Sequence, residues 1–116
     1  MQIGIFFLLK IMGIKVAIQG IQGSFHHQVA HRYFGEAIGL DECVTFRDVA
    51  YSLKNNQSDK AIMAIENSIA GAILPNYSLI DSYDLHIIGE HFLDIHMNLM
   101  VLPGQTIEDI KEVHSH

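Results

Sequence analysis

The sequence predicts an α/β fold: a parallel sheet entered through a β-α-β-α-β start. Two apolar runs, Lys15–Gln19 and residues 60–65, have the continuous hydrophobicity of strands buried on both faces. Between them, apolar residues follow the three-to-four-residue period of amphipathic helices. Strands that alternate with helices over such short connections pair in parallel through right-handed crossovers. A chain of 116 residues has room for one domain of this kind.

The first strand, Lys15–Gln19, is followed by the first predicted helix. Apolar residues recur every four positions from Phe25 onward, which predicts a helix of about four turns. Ser24 has the side chain of a helix N-cap, and Gly39 is a residue type that commonly stops a helix. We therefore expect this helix to occupy most of the segment between those two residues.

The second strand and the second helix are predicted by shorter signals. Residues 43–46 form an apolar run, and Asp48 follows as a candidate cap for a helix that ends at Asn55 and Asn56. The third strand, residues 60–65, comes next. Its lack of polar residues after Lys60 predicts a central position in the sheet.

Beyond the third strand the pattern is less regular. We predict a helical segment from Ser68 that Pro75 breaks, so that the helix restarts over residues 76–83. Residues 85–102 are expected to be extended. Thr106 and Asp109 then open a last helix whose apolar positions are Ile107, Ile110 and Val113.

Composition and charge exclude several classes of function. The net charge is −6, and the seven Lys and Arg residues are spread singly, so no basic surface for nucleic acid is predicted. An acidic chain does not attract anions over long distances, so any anion site depends on local backbone donors. Cys43 is the only cysteine, which excludes an internal disulfide and favours a cytoplasmic location.

Residues 1–14 form an apolar leader that we expect to lie outside the core. The leader is too short to cross a membrane, and Lys10 interrupts it. A signal peptide is the alternative, but the basic leading region and the small-residue cleavage site are absent. Met12 is the better candidate start, because it directly precedes the first strand. No membrane partner is predicted.

Two corners of the chain carry candidate binding groups. Residues 20–27 (GIQGSFHH) follow the first strand, and residues 64–71 (AIENSIAG) follow the third. Each corner places a hydroxyl or amide side chain where the sequence predicts the start of a helix, and free N–H groups there favour an anion. Asn67 lies where open α/β sheets bind ligands, and its amide offers both a donor and an acceptor. The alternative for Ser24, Asn67 and Ser68 is a plain capping role.

The eight histidines raise the possibility of a metal site. His27 and His31 lie one helical turn apart. No carboxylate or cysteine completes a known ligand spacing, so we predict no metal site. Gly20 and Gly23 do not form a dinucleotide-binding pattern.

Both corners closely resemble the prephenate dehydratase family, whose sequences carry G-x-x-G-S/T-F-x-H near the start and E-N-S/T after the third strand. His114, Ser115 and His116 lie at the start of a third family signature, S-H-P-Q. The resemblance runs from Lys15 to the end of the chain. It implies conversion of prephenate to phenylpyruvate with loss of water and carbon dioxide, in phenylalanine biosynthesis and without a cofactor.

The resemblance also implies a fold and a set of site residues. The fold is like that of type II periplasmic binding proteins, with a first lobe at residues 15–84 and a crossover into a second lobe at residues 85–116. The implied catalytic residues are Asn67 and Ser115. The implied substrate-binding residues are Ser24, Phe25, Ser68 and Gly71.

The family's T-R-F motif and its C-terminal ACT domain do not occur in the 116 residues. We therefore interpret the chain as the front portion of such an enzyme and expect it to be inactive by itself. The alternative is a non-enzymatic module that binds a small carboxylate. Family members tend to dimerise, and an incomplete second lobe exposes apolar surface, so we expect a homodimer or a larger self-assembly.

Overall fold

A computed structural model describes residues 13–115. Residues 1–12 of the predicted leader, and His116, lie outside the described part. Ile14, the last residue of that leader, packs against the core of the sheet, and its carbonyl accepts a hydrogen bond from the Gly39 N–H at 2.9 Å.

The centre of the fold is a three-stranded parallel sheet, which confirms the α/β prediction. Its strands are β1 (Lys15–Gln19), β2 (Gly39–Cys43) and β3 (Lys60–Ala61), in the order β2-β1-β3. The central strand β1 has three consecutive residues with no exposed surface, as its continuous apolar run predicted. The predicted central position of the third strand was wrong: β3 lies at the edge of the described sheet and is regular over two residues only, although the Ile62 N–H still donates to the Ala17 carbonyl at 3.0 Å.

Three α-helices accompany the sheet: α1 (Phe25–Phe34), α2 (Phe46–Lys54) and α3 (Leu74–Ser82). On one face of β1, Val16 and Ile18 pack against Ala30 of α1. On the other face, Ala17 packs with Val49 of α2. Helix α3 packs against α2. The chain therefore leaves β1 and β3 toward opposite faces, and this arrangement creates a crevice at their carboxyl ends.

The prediction that the first helix extends to Gly39 was wrong. Helix α1 ends at Phe34, where the N–H of Gly35 donates to the His31 carbonyl at 2.9 Å. Gly39 instead begins β2, so the second strand lies at Gly39–Cys43 and not at residues 43–46. Thr45, rather than Asp48, is the N-cap of α2. Asp48 completes a capping box by accepting a hydrogen bond from the Thr45 N–H.

The predicted helix from Ser68 was also wrong. The chain forms a two-stranded antiparallel hairpin there, with β4 (Glu66–Asn67) paired to β5 (Gly71–Ala72). Gly71 has a φ of +76°, a conformation that glycine adopts without the steric cost of a side chain. This local turn replaces the helix, because its hydrogen bonds satisfy backbone groups that a helix would otherwise have used.

Residues 85–115 are mostly exposed and carry no strand. The last predicted helix is reduced to a 3-10 turn, Ile107–Asp109, where Asp109 accepts hydrogen bonds from the Thr106 N–H and hydroxyl. The radius of gyration is 17.9 Å, against about 13 Å for a compact domain of this length. Within the described residues, no helix combines the length and apolar character needed to cross a membrane.

Candidate functional site

A cleft of about 550 Å³ opens at the carboxyl ends of β1 and β3. One side is formed by the corner after β1 and the adjoining face of α1, and another by the segment that leads from β3 to Glu66. The extended segment from Leu85 to Ile95 closes it from above. Its apolar lining includes Phe25, Val29, Ile62, Ile65, Leu85 and Leu93. Such a cleft, apolar with few polar groups, is the usual form of a small-molecule site.

The corner after β1 brings Ser24 and Phe25 into the cleft wall, as the sequence predicted. Ser24 is the N-cap of α1, and its hydroxyl oxygen accepts from the His27 N–H at 3.3 Å. The capping role is therefore real, but it uses a lone pair and leaves the hydroxyl hydrogen available for a ligand. The N–H groups of Phe25 and His26 belong to the first turn, which has no intrahelical acceptors for them.

The corner is held together by His27. This buried side chain accepts a hydrogen bond from the Gly23 N–H at its Nδ1 atom, at 2.7 Å, and its Nε2 atom lies 3.0 Å from Nε2 of His31. Because Nδ1 accepts, the proton of a neutral His27 ring sits on Nε2 and points at His31. The Nε2–H of His27 can therefore donate to His31, which links the corner to the next turn of α1. Among residues 13–115, no group of three or more potential ligands could hold a metal.

We predict a specific tautomer for each member of this pair. In their neutral forms, His27 should carry its proton on Nε2 and His31 on Nδ1. Nitrogen-15 NMR of the histidine rings distinguishes the two nitrogens directly. A proton on Nδ1 of His27 would contradict the hydrogen bond that the Gly23 N–H donates to that atom in the structure. His96, an exposed histidine outside the pair, provides the reference spectrum.

The second corner is organised around Asn67. Its side-chain carbonyl accepts hydrogen bonds from the N–H groups of Ile69 and Ala70, at 2.9 and 3.2 Å. Asn67 thus caps the turn of the hairpin, and the expectation that it and Ser68 begin a helix is corrected. Its Nδ2 group keeps two hydrogens that this turn does not use. Glu66, directly before it, lies in the cleft wall.

The remaining predicted site residues are not gathered in the cleft wall. Ser68 is exposed at the hairpin, and Gly71 lies in β5. Ser115 is exposed near the end of the described chain. The structure therefore brings Ser24 and Phe25 to the cleft, places Asn67 beside its rim, and leaves the other three outside the residues that line it.

The extended segment from Leu85 to Ile95 contacts α1. Tyr33 donates a long hydrogen bond of 3.5 Å from its hydroxyl to the Ile88 carbonyl. The adjacent Gly89 allows this approach, because a Cβ atom at that position would overlap the Tyr33 hydroxyl. The two contacts set the height of the extended segment above the cleft.

The charge of the wall is negative. Among its described residues are two carboxylates, Glu66 and Glu90, and no lysine or arginine. An anion in the cleft therefore depends on N–H and O–H donors from this part of the protein. Sequence reasoning missed Glu66 and Glu90 as wall residues. The position of Glu66 directly after the apolar run at residues 61–65 was the available signal.

His26 is a further wall residue that sequence reasoning did not select as a side-chain contact. Its ring packs edge-on against Phe46, with the ring centres 5.4 Å apart. Burial lowers the pKa of His26 below its usual range, which keeps the ring neutral at neutral pH.

Cys43 is not a candidate nucleophile. The thiol is buried, and burial together with the carboxylates of Asp41 and Asp48 raises its pKa to about 11. A thiol with so high a pKa is protonated at neutral pH and does not react as a thiolate.

Comparisons with known proteins bear directly on this site. A family model described as prephenate dehydratase matches residues 16–116. A bifunctional chorismate mutase/prephenate dehydratase from Buchnera aphidicola is 35% identical over 111 residues, covering 92% of this chain and 29% of that protein. An arogenate dehydratase/prephenate dehydratase from Arabidopsis thaliana is 32% identical over 103 residues, covering 89% of this chain and 27% of that protein.

A bifunctional chorismate mutase/prephenate dehydratase from Aquifex aeolicus is 31% identical, with 89% of this chain and 28% of that protein covered. The chain thus spans less than a third of the length of these curated relatives. No solved structure was found to match it significantly. The family model covers nearly the whole chain, including both corners described above, and the chain therefore belongs to the prephenate dehydratase family.

Proposed function

We propose that this chain forms one wall of the substrate site of an enzyme that converts prephenate to phenylpyruvate with loss of water and carbon dioxide. The observation that carries the proposal is the apolar cleft at the carboxyl ends of β1 and β3, which lies within the family match. Some relatives are named arogenate dehydratases. Arogenate, the amino-acid counterpart of prephenate, is therefore the second substrate to test.

The apolar wall suits the chemistry of this reaction. Formation of an aromatic ring supplies the driving force, so the enzyme has to help a ring hydroxyl leave and a ring carboxylate depart as carbon dioxide. Phe25, Ile65 and Leu85 line the cleft and would exclude water from the ring. A carboxylate that loses its hydration loses its charge more readily, which favours decarboxylation.

Polar groups at the two corners would orient the substrate. The Ser24 hydroxyl and the first-turn N–H groups of α1 can donate hydrogen bonds to a carboxylate oxygen. We propose Asn67 as a catalytic residue whose free Nδ2 hydrogens polarise the leaving hydroxyl. Ser115 is the second proposed catalytic residue, and Ser68 and Gly71 stay proposed substrate contacts. The support for these three is the match of their motifs to the family.

A titration with prephenate tests the proposal. In two-dimensional NMR, we expect prephenate to shift the backbone signals of Ser24, Phe25 and other wall residues, while the signal of Tyr51, an exposed residue of α2 outside the cleft lining, stays unchanged. The absence of any wall response would contradict the proposal. Arogenate, added in a parallel titration, shows whether an α-ammonium group is preferred by the negative wall.

We expect the 116-residue chain to produce no phenylpyruvate by itself. Among residues 13–115, the cleft lining contains no lysine or arginine to balance a dicarboxylate, and the carboxylates of Glu66 and Glu90 oppose its binding. Phenylpyruvate formation that disappears in the Asn67→Ala variant would show this expectation to be wrong. The same assay on a longer protein from the same gene tests the alternative. If that longer protein binds prephenate but does not convert it, the non-enzymatic carboxylate-binding module is favoured.

We also propose that the chain self-associates, as a homodimer or a larger assembly. Residues 85–102 expose large apolar side chains, among them Phe92 at 87%, Met100 at 88% and Leu102 at 71%. Burial of apolar surface contributes about 25 cal/mol per Å², and exposed patches of this kind favour association. Sedimentation over a range of concentrations should show a mass that increases with concentration. A monomer at every concentration up to tens of micromolar would contradict this prediction. The cytoplasmic location stays a prediction based on the single, buried, free Cys43.

A further inference from the structure

His26 has a buried polar atom that the fold does not use. Its Nε2 atom has almost no accessible surface, and no group in residues 13–115 forms a hydrogen bond with it. Buried polar atoms in native proteins are nearly always paired, because an unpaired one weakens the folded state. An exception in the wall of an apolar cleft suggests that the missing partner belongs to a ligand.

The surroundings of His26 support this interpretation. The residue follows Phe25 at the start of α1 and lines the cleft beside it. On its other side the ring meets the edge of Phe46 with an interplanar angle of 65°. The phenyl ring of Phe46 carries no hydrogen-bonding group, so this contact fixes the position of the His26 ring without satisfying its nitrogen.

We propose that His26 is a substrate-recognition residue. Its imidazole would form a hydrogen bond with a hydroxyl or carboxylate oxygen of the prephenate held in the cleft. This inference rests on the proposed function and adds a named side chain to it. Because Nε2 is shielded in the structure, contact requires the imidazole to rotate toward the cleft. That rotation would change the edge-on contact between the His26 and Phe46 rings, so the ring signals of Phe46 should shift as well.

The neutral state of the ring limits what His26 contributes. Burial keeps its pKa low, so the ring offers one donor nitrogen and one acceptor nitrogen rather than a positive charge. Recognition by His26 is therefore selective for the placement of an oxygen atom in the cleft and not for the total charge of the ligand.

The first test is nitrogen-15 NMR of the histidine rings during a titration of the intact chain with prephenate. We expect the Nε2 signal of His26 to move more than that of any other assigned histidine, together with the ring signals of Phe46. If backbone signals of the wall respond and His26 does not, the inference is overturned and the proposed function stands. If no wall signal responds, both are overturned.

The second test compares variants of the same position. His26→Phe keeps an aromatic ring against Phe46 but removes both nitrogens, and it should weaken prephenate binding about 5–10-fold. His26→Gln keeps a donor and an acceptor and should retain more affinity than His26→Phe. His96→Gln, at an exposed histidine outside the cleft, should bind as the unmodified chain does. Equal affinity of the three variants would overturn the inference, and an unchanged NMR fingerprint verifies that each is folded.

Discussion

Replacing Ile18 by alanine is expected to lower the free energy of unfolding by about 2–5 kcal/mol. Ile18 lies in the central strand β1, has no exposed surface and is one of the largest fully buried side chains in the described chain. It packs in the same cluster as Ala30 of α1. Removing three carbon atoms there loses their transfer free energy and leaves a cavity, because a parallel strand held on both sides cannot collapse into the space.

Urea unfolding followed by circular dichroism measures this effect. Ile18→Val removes one methyl group and should cost about 0.5–1.5 kcal/mol. Ile69→Ala is the matched control, since Ile69 is 96% exposed at the hairpin tip, and it should leave stability within about 0.5 kcal/mol of the unmodified chain. A loss below 1 kcal/mol for Ile18→Ala would show that β1 is not the centre of the cooperative core.

The central strand was predictable because one physical signal determined it. Residues 16–18 are a short apolar run and are buried on both faces as expected. The longer apolar run at residues 61–65 gave the same signal, yet these residues are only half-buried and β3 lies at the edge of the described sheet. The second strand was not predictable in this way. Leu40 is followed by the charged residues Asp41 and Glu42, which are a poor signal for a strand. Asp41 is nevertheless accommodated in β2, because the hydroxyls of two serines donate hydrogen bonds to its carboxylate.

The candidate site was also predictable only in part. Ser24 and Phe25 were predictable, since an N-cap directly after a buried strand faces the carboxyl edge of the sheet. The hairpin that begins at Glu66 was not predictable. The side chains of Asn67 and Ser68 can accept hydrogen bonds from nearby backbone N–H groups, and this favours a helix cap and a tight turn equally. The side-chain carbonyl of Asn67 bonds N–H groups two and three residues ahead, and only the pairing of β4 with β5 shows which structure results.

Replacing Asp41 by alanine is expected to lower the free energy of unfolding by about 2–3 kcal/mol. Asp41 lies in β2, and its Oδ2 atom accepts hydrogen bonds from the hydroxyls of Ser52 in α2 and Ser58 in the following loop, the latter at 3.0 Å. Both serines are nearly fully buried, and their hydroxyl oxygens are 2.8 Å apart. Without the carboxylate, one buried hydroxyl hydrogen loses its acceptor, and β2 loses its tie to α2.

The same network makes stability depend on pH. The Ser52 hydroxyl is the main cause that holds the pKa of Asp41 below its usual range. Ser58 and the charge of Lys15 act in the same direction, and partial burial opposes them. A carboxylate whose pKa is lower in the folded chain stabilises that chain fully above its unfolded pKa of about 4. The contribution is lost as the pH falls through the lower, folded value.

Asp41→Asn is the variant that isolates this effect. Asparagine keeps the size of the side chain and one oxygen acceptor, but it has no titrating group. We expect it to be less stable than the unmodified chain from pH 5 to 8 by a constant amount, and the difference should shrink below about pH 4. Unfolding by urea at a series of pH values measures the difference. A gap that stays constant down to pH 2 would show that the charge of Asp41 contributes nothing and that only its shape and its acceptor oxygen hold Ser52 and Ser58.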